Sequence, residues 1–146
     1  EGRMILADAL AYAARYKPRL VVDFATLTGA CVVALGTDYS GAFATDKKIL
    51  FKLEAAAEKT GEKIWPLPLA PEYREDIKSH VADIKNIGTE SKGAGTITAA
   101  LFLQEFVSYP WIHLDIAGTA WTTTGKTYHP KGATGVGVRL LMEFLK

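Results

Sequence analysis

Two short segments combine small residues with hydroxyl groups directly after apolar runs, a composition that suits a binding loop. The first covers residues 26–30 (Thr-Leu-Thr-Gly-Ala) and the second residues 118–121 (Gly-Thr-Ala-Trp). Ligands of open α/β sheets bind in loops beyond the carboxyl ends of the strands, which is where both segments are expected. Small side chains there would let a ligand's main chain approach closely. On pattern alone ordinary turn chemistry is the simpler interpretation, so both segments are candidates only.

The side chains that most often catalyse reactions or bind metals form no local pattern of their own. His80, His113 and His129 lack the spacing of a zinc-binding helix, so a structural or surface role is expected for each. No serine lies in a Gly-x-Ser-x-Gly elbow. Cys31 is the only cysteine, which excludes a disulfide within the chain, and a buried inert thiol is its simpler interpretation.

Charge and hydropathy give no indication of nucleic acid or a membrane as a partner. The 17 basic and 16 acidic side chains leave a net charge of +1 and are dispersed along the chain. No apolar run reaches the roughly 18 residues of a membrane span. Glycine-rich turns at 93–95 and 132–137 leave a nucleotide-binding α/β protein as an alternative, although neither has a P-loop or Gly-x-Gly-x-x-Gly pattern.

The periodicity of apolar residues predicts the elements that would position the two loops. Residues 65–69 contain two prolines and are expected to form a loop or an edge strand. Strands alternating with helices favour a single layered α/β domain over residues 1–146. The predicted strands are 19–25, 41–44 and 111–117, and the predicted helices are 45–59 (capped by Thr45), 71–78, 96–108 and one from about 134.

The first predicted helix begins almost at residue 1 and ends at Lys17, before Pro18. It is apolar on two sides, which predicts a helix inside a packed structure. It also lacks an ordinary capping residue, so we expect the chain to begin inside a larger domain. One apolar side holds Ile5, Ala9, Tyr12 and Tyr16, and the other holds Leu6, Leu10 and Ala13.

Four ordered blocks of the sequence resemble the leucyl aminopeptidase (cytosol aminopeptidase) family. Residues 1–3 (Glu-Gly-Arg) are similar to the end of the family motif Asn-Thr-Asp-Ala-Glu-Gly-Arg, and residues 23–30 to its second motif. Residues 86–88 with 94–103 resemble a third region, and residues 113–118 (His-Leu-Asp-Ile-Ala-Gly) a fourth. Because the blocks occur in order over the whole chain, the resemblance is far more specific than any one of them.

The resemblance implies a cytoplasmic exopeptidase that removes N-terminal leucine or other apolar residues from peptides. The family binds two divalent metal ions (zinc, manganese or magnesium) and assembles as a homo-hexamer. Its catalytic domain is a three-layer α/β structure with a mixed β-sheet flanked by helices. This chain would be the C-terminal part of that domain, beginning within the metal-site motif.

The resemblance also implies roles for individual residues. Glu1 would bind both metals, and Arg3 would be catalytic by holding a bicarbonate ion that acts as general base. Such a role suits arginine, which is always charged and can clamp a planar anion with two parallel hydrogen bonds. The residues expected to contact the peptide substrate are Thr26, Leu27, Gly29, Ile87, Ala117 and Ala120.

Departures from the family pattern limit these expectations. The further aspartates and two lysines that the family places upstream of Glu1 are not in this chain. One carboxylate cannot hold two mutually repelling cations, so we expect the chain by itself to be inactive. A non-catalytic scaffold or interaction module derived from a peptidase is therefore the alternative. Ala120 also replaces a bulkier side chain of some members, which leaves the preference among apolar residues open.

Overall fold

The computed structural model describes residues 2–89, 92–125 and 129–146. Its elements alternate along the chain and confirm the α/β class. The α-helices of the described residues are α1 (Gly2–Ala13), α2 (Gly29–Leu35), α3 (Lys47–Thr60), α4 (Gly95–Gln104) and α5 (Val138–Phe144). The helix predicted at 71–78 is a 3-10 helix over Pro71–Ile77. The strands of the same residues are β1 (Val21–Ala25), β2 (Ser40–Ala44), β3 (Ile64–Pro66), β4 (Trp111–Asp115), β5 (Trp121–Thr122) and β6 (Gly132–Ala133).

The main sheet is mixed and has the strand order β1-β4-β2-β3. β4 pairs with β1 in parallel, so that Asp23 lies beside His113, and with β2 in antiparallel, so that Phe43 lies beside the same histidine. β3 pairs in parallel with β2 and is the predicted edge segment with its prolines. β5 and β6 form a separate antiparallel hairpin.

Helices cover both faces of the sheet and produce three layers. On one face α3 and α5 pack through Leu53 and Leu140 against Ile112 and Leu114 of β4. On the other face α1 and α4 pack through Leu10 and Phe102 against Trp111. Residues of β4 alternate between these two cores because successive side chains of a strand point to opposite faces. The predicted three-layer arrangement with a mixed sheet is confirmed.

The structure corrects several predicted boundaries. α3 is capped by Asp46, whose Oδ1 accepts hydrogen bonds from the amides of Lys48 (2.6 Å) and Ile49 (3.4 Å). Thr45, the predicted cap, instead accepts a hydrogen bond from the amide of Trp111 at 2.9 Å and joins the end of β2 to β4. β4 ends at Asp115, and α4 ends at Gln104. The last helix starts only at Val138, because Gly135 and Gly137 take left-handed conformations with φ of 69° and 92°.

In the structure of this chain, α1 is buried on one side only. Leu10 is 2% exposed, whereas Ile5 is 70% and Tyr16 is 71% exposed. One side packs on α4, and no other described element packs against the side that carries Ile5 and Tyr12. α1 itself ends at Ala13, and a 3-10 turn over Ala14–Tyr16 continues to the predicted end at Lys17, which takes a left-handed conformation with φ of 47°.

Candidate functional site: a cleft at the carboxyl ends of β1 and β4

A cleft of about 350 Å³ opens beyond the carboxyl end of β1. It lies where α2 and α4 begin, and α1 contributes one charged side chain to its wall. Small residues allow this close meeting, since a Cβ on Gly95 would lie 3.0 Å from the Cβ of Ala30. The cleft is lined by Arg3, Leu27, Thr28, Gly29, Ala30, Ile87, Gly88, Thr89, Gly93, Gly95 and Thr98.

Four of the predicted site residues meet in this cleft: Arg3, Leu27, Gly29 and Ile87. They come from α1, from the segment after β1 and from the loop before α4, so they are far apart in sequence. Thr26 is exposed next to Leu27 but is not among the lining residues. The structure therefore brings Arg3 together with three of the six residues that are predicted to contact the substrate.

Ala117 and Ala120 lie in the loop after β4 and do not line this cleft. Their loop turns tightly, because the amide of Ala120 donates to the carbonyl of Ile116 at 3.0 Å. Gly118 holds the loop against another segment, since a Cβ there would lie 2.2 Å from the carbonyl oxygen of Gly36. The neighbouring Thr119 borders a second cavity of about 410 Å³ on the other side of the loop.

Arg3 is half-buried, and its guanidinium donates a hydrogen bond to the carbonyl oxygen of Asn86. This contact ties the first turn of α1 to the segment that carries Ile87. Arg3 lines the cleft, and this hydrogen bond to a main-chain carbonyl oxygen holds its guanidinium in place. A positive charge fixed in this way can bind an anionic or carbonyl oxygen in the cleft.

Thr28 organises the floor of the cleft. Its buried hydroxyl donates to Asp115 Oδ2 at 2.7 Å and lies 3.1 Å from Thr96 Oγ1. The same oxygen accepts a hydrogen bond from the amide of Cys31 at 3.0 Å and so caps α2. α2 was not predicted, because residues 26–30 were interpreted as a continuous loop; its N-terminal cap, a threonine three residues before Cys31, was the available signal.

Asp115 is fully buried at the end of β4. Its Oδ1 accepts hydrogen bonds from the amides of Leu27 and Ala117, both at 3.1 Å. One carboxylate therefore joins the segment after β1 to the loop after β4. Sequence reasoning did not single out Asp115; an acidic residue ending a strand of buried apolar residues was the signal that could have found it.

His113 has the structural role that the sequence favoured. It is fully buried, its Nδ1 lies 2.7 Å from Asp23 Oδ1, and its ring stacks between those of Trp111 and Phe43. Asp23 also accepts a hydrogen bond from Trp111 Nε1 at 2.6 Å. Within the described part of the chain, His113 Nε2 is buried without a hydrogen-bond partner.

Cys31 is buried beside this site, as the sequence favoured. Burial raises the pKa of its thiol, and the negative charge of Asp115 raises it further. A thiol with a raised pKa is a weak nucleophile and a weak metal ligand near neutral pH. Cys31 is therefore a packing residue, and its Sγ lies 3.7 Å from the carbonyl oxygen of Asp115.

The described residues do not form a metal centre by themselves. Among residues 2–89, 92–125 and 129–146, no three His, Cys, Asp or Glu side chains cluster closely enough to hold an ion. Glu1, the predicted metal ligand, lies outside these residues. Two adjacent divalent ions need several anionic ligands to offset their repulsion, and the described chain does not provide such a set.

No helix within the described ranges is both long enough and apolar enough to cross a bilayer. The glycines singled out for the nucleotide alternative serve turns and helix starts instead. Gly93 has φ of +71° and Gly137 has φ of +92°, conformations that L side chains rarely adopt. Gly137 is the residue from which α5 begins.

Comparison with known proteins agrees with these observations. The model of the cytosol aminopeptidase family, catalytic domain, matches residues 1–142. Probable cytosol aminopeptidases of Geobacter sulfurreducens and Cenarchaeum symbiosum are 60% and 52% identical over the whole chain, which spans 29% and 31% of their lengths. A solved mutant of tomato leucine aminopeptidase is 44% identical with a TM-score of 0.90, over 99% of this chain and 28% of that one. The chain therefore belongs to the cytosol aminopeptidase family.

Proposed function

We propose that this chain is the C-terminal part of a leucyl aminopeptidase-type catalytic domain and supplies part of its peptide-binding surface. The intact protein would release N-terminal leucine or other apolar residues from peptides by hydrolysis that depends on two divalent metal ions. The observation that carries the proposal is the meeting of Arg3, Leu27, Gly29 and Ile87 in one cleft of a chain whose family is that of aminopeptidases.

The main chain around Leu27 is suited to bind an extended peptide. Leu27 and Gly29 line the cleft, and the fixed end of β1 holds their backbone. Ile87 lines the same cleft and would contact the substrate's second side chain. Burial of a leucine side chain would contribute about 1.5–3 kcal/mol to binding, which accounts for an apolar preference. Ala117 and Ala120 would border the pocket for the first side chain.

Arg3 would bind a bicarbonate ion near the reacting carbonyl, and that ion would act as general base. Its guanidinium lines the cleft, and its contact with the carbonyl of Asn86 fixes where the charge lies. Arginine suits this role because its planar fork matches a planar anion and never loses its charge.

Glu1 would bind both metal ions, which would be zinc, manganese or magnesium. A carboxylate is a suitable ligand for each of these ions. The remaining anionic ligands would come from parts of a longer protein, since the relatives are more than three times as long as this chain. We expect the chain alone to be inactive, and the intact protein to be a cytoplasmic homo-hexamer.

The alternative is a non-catalytic interaction module derived from a peptidase. It is favoured by the apolar side of α1, where Ile5, Tyr12 and Tyr16 are more than half exposed. Such a side would suit a protein partner. An exposed apolar side on α1 is compatible with both functions, so an assay of peptidase activity is the test that separates them.

A chimera separates the two functions. This chain would replace the matching segment of the Geobacter sulfurreducens relative, which is 60% identical to it, and leucine p-nitroanilide would be assayed with added manganese. We expect activity from the chimera and none from the chain alone. An Arg3→Lys variant keeps the charge but loses the planar fork and should be strongly impaired. An inactive but folded chimera that binds no metal by calorimetry would favour the interaction module.

A further inference from the structure

We propose that Asp115 is a positioning residue that sets the geometry of the peptide-binding main chain at Leu27. The inference rests on the proposed function, because it concerns how the same cleft is held in shape. Asp115 does not line the cleft and would not touch the substrate. It would act through the two segments that its carboxylate joins.

The hydrogen bonds of Asp115 reach both segments at once. Oδ1 accepts from the amide of Leu27 and from the amide of Ala117, each at 3.1 Å, and Oδ2 accepts from the hydroxyl of Thr28 at 2.7 Å. Since both amides share one oxygen atom, the distance between the two segments is fixed by that atom. Among the described residues, no basic side chain forms an ion pair with Asp115, so these three donors stabilise its buried charge.

The same bonds orient the peptide groups of the cleft. The amide held at Leu27 fixes the plane of the peptide group between Thr26 and Leu27, because peptide groups are planar. The next peptide group, which carries the Leu27 carbonyl, lies between that amide and the hydroxyl of Thr28, and Asp115 holds both. The carboxylate of Asp115 thus binds the main chain that borders the cleft.

The test uses variants that preserve shape. Thr28→Val is nearly isosteric and removes the hydroxyl, whereas Thr28→Ser retains it. Asp115→Asn keeps one oxygen for the two amides but replaces the acceptor of the Thr28 hydroxyl with a donor. The control is Leu53→Ala, because Leu53 is fully buried in the core on the other face of the sheet. It should destabilise the protein without disturbing the cleft.

Each variant would be made in the chimera and assayed for kcat, KM and thermal unfolding. We expect Thr28→Val and Asp115→Asn to lower kcat/KM by at least tenfold while losing no more thermal stability than Leu53→Ala. Thr28→Ser should lose less kcat/KM than Thr28→Val, because it keeps the hydroxyl that donates to Asp115, and Leu53→Ala should keep the kcat/KM of its folded fraction. Unchanged kcat/KM in both cleft variants, or an equal loss in Leu53→Ala, would overturn the inference.

Amide hydrogen exchange distinguishes a failure of this inference from a failure of the proposed function. In Asp115→Asn the amides of Leu27 and Ala117 keep only a neutral acceptor, which binds them roughly half as strongly, so the protection of residues 26–30 and 116–118 should fall while that of α3 is retained. Unchanged protection of those segments would refute the positioning role even if the parent chimera were inactive. An inactive parent chimera that shows the local loss of protection would count against the peptidase function and leave the role of Asp115 in holding the segments supported.

Discussion

The side chains of β4 face two different environments on the two sides of the sheet. Ile112 and Leu114 point toward α3 and α5 and pack against apolar side chains. Trp111, His113 and Asp115 point toward α1, α2 and α4, and each makes hydrogen bonds or ring contacts through a polar group. All five residues are buried, so burial alone does not distinguish them.

The apolar face holds the fold together, whereas the polar face also places particular atoms. Apolar contacts are not directional, so the face with α3 and α5 stabilises the fold without specifying the place of any single atom. Hydrogen bonds are directional, and a buried polar group without a partner is costly. On the other face Asp115 therefore fixes particular atoms of the segments after β1 and β4, and Asp23 fixes the side chains of Trp111 and His113. We expect substitutions on the first face to change stability and those on the second to change geometry as well.

The largest loss of stability is expected for Leu114→Ala in the chimera. It removes a fully buried side chain and leaves a cavity, at a cost of about 2–5 kcal/mol in the free energy of unfolding. Urea unfolding measures the loss, and Leu145→Ala, at a position that is 67% exposed, is the matched control with a change within about 0.5 kcal/mol. If Leu114→Ala lowered kcat/KM of the folded protein as much as Asp115→Asn does, the proposed difference between the two faces would be wrong.

A smaller loss is expected for Asp23→Asn. The carboxylate of Asp23 accepts hydrogen bonds from Trp111 and His113, and an amide cannot accept both on separate oxygens. Bonds to charged groups contribute about 1.5–3 kcal/mol, which sets the expected decrease in the free energy of unfolding. Asp8→Asn, on the exposed side of α1, provides the same chemical change without the contacts. Equal effects of the two substitutions would show that the polar face needs no charge at Asp23.

A still smaller change is expected for Tyr109→Phe. The hydroxyl of Tyr109 donates to the carbonyl oxygen of Leu10 at 2.6 Å and joins α1 to the segment before β4. Its loss should cost about 0.5–1.5 kcal/mol of unfolding free energy. Burial and the charge of Asp23 raise the pKa of this phenol, so it should stay protonated and keep donating at alkaline pH. An absorbance titration that shows ordinary ionisation of Tyr109 would contradict this contact.

The smallest effect concerns the chemistry of Cys31. Burial and then the charge of Asp115 raise the pKa of the thiol, so its alkylation should be slow near neutral pH and should accelerate only in alkaline solution. Its contribution to stability is complete below the ordinary thiol pKa and is lost as the pH rises through the raised value. Asp115→Asn removes one cause and should shift the alkylation profile of Cys31 toward lower pH. Mass spectrometry of the Cys31 peptide measures the shift.

Much of the fold was predictable because it depends on local patterns. β1 and β4 are runs of apolar residues, and both were found at their predicted places. α3 was predicted because its apolar residues recur at helical spacing and Gly61 ends it. The family and the cleft residues Arg3, Leu27, Gly29 and Ile87 followed from ordered motifs that are read along the chain. The roles of these four residues in binding a substrate or an anion stay predictions.

Long-range contacts decided the rest. The sequence by itself determined β1, β2 and β4, most of the helices and the family, since each of these elements and each family motif depends on residues within a few positions of one another. Only the tertiary structure revealed that Asp115 holds Leu27 across 88 positions, and that Gly118 lies against Gly36. The directions of such contacts depend on how the sheet is assembled. No local pattern carries that information, because hydrogen bonds between distant segments require both partners to be placed first.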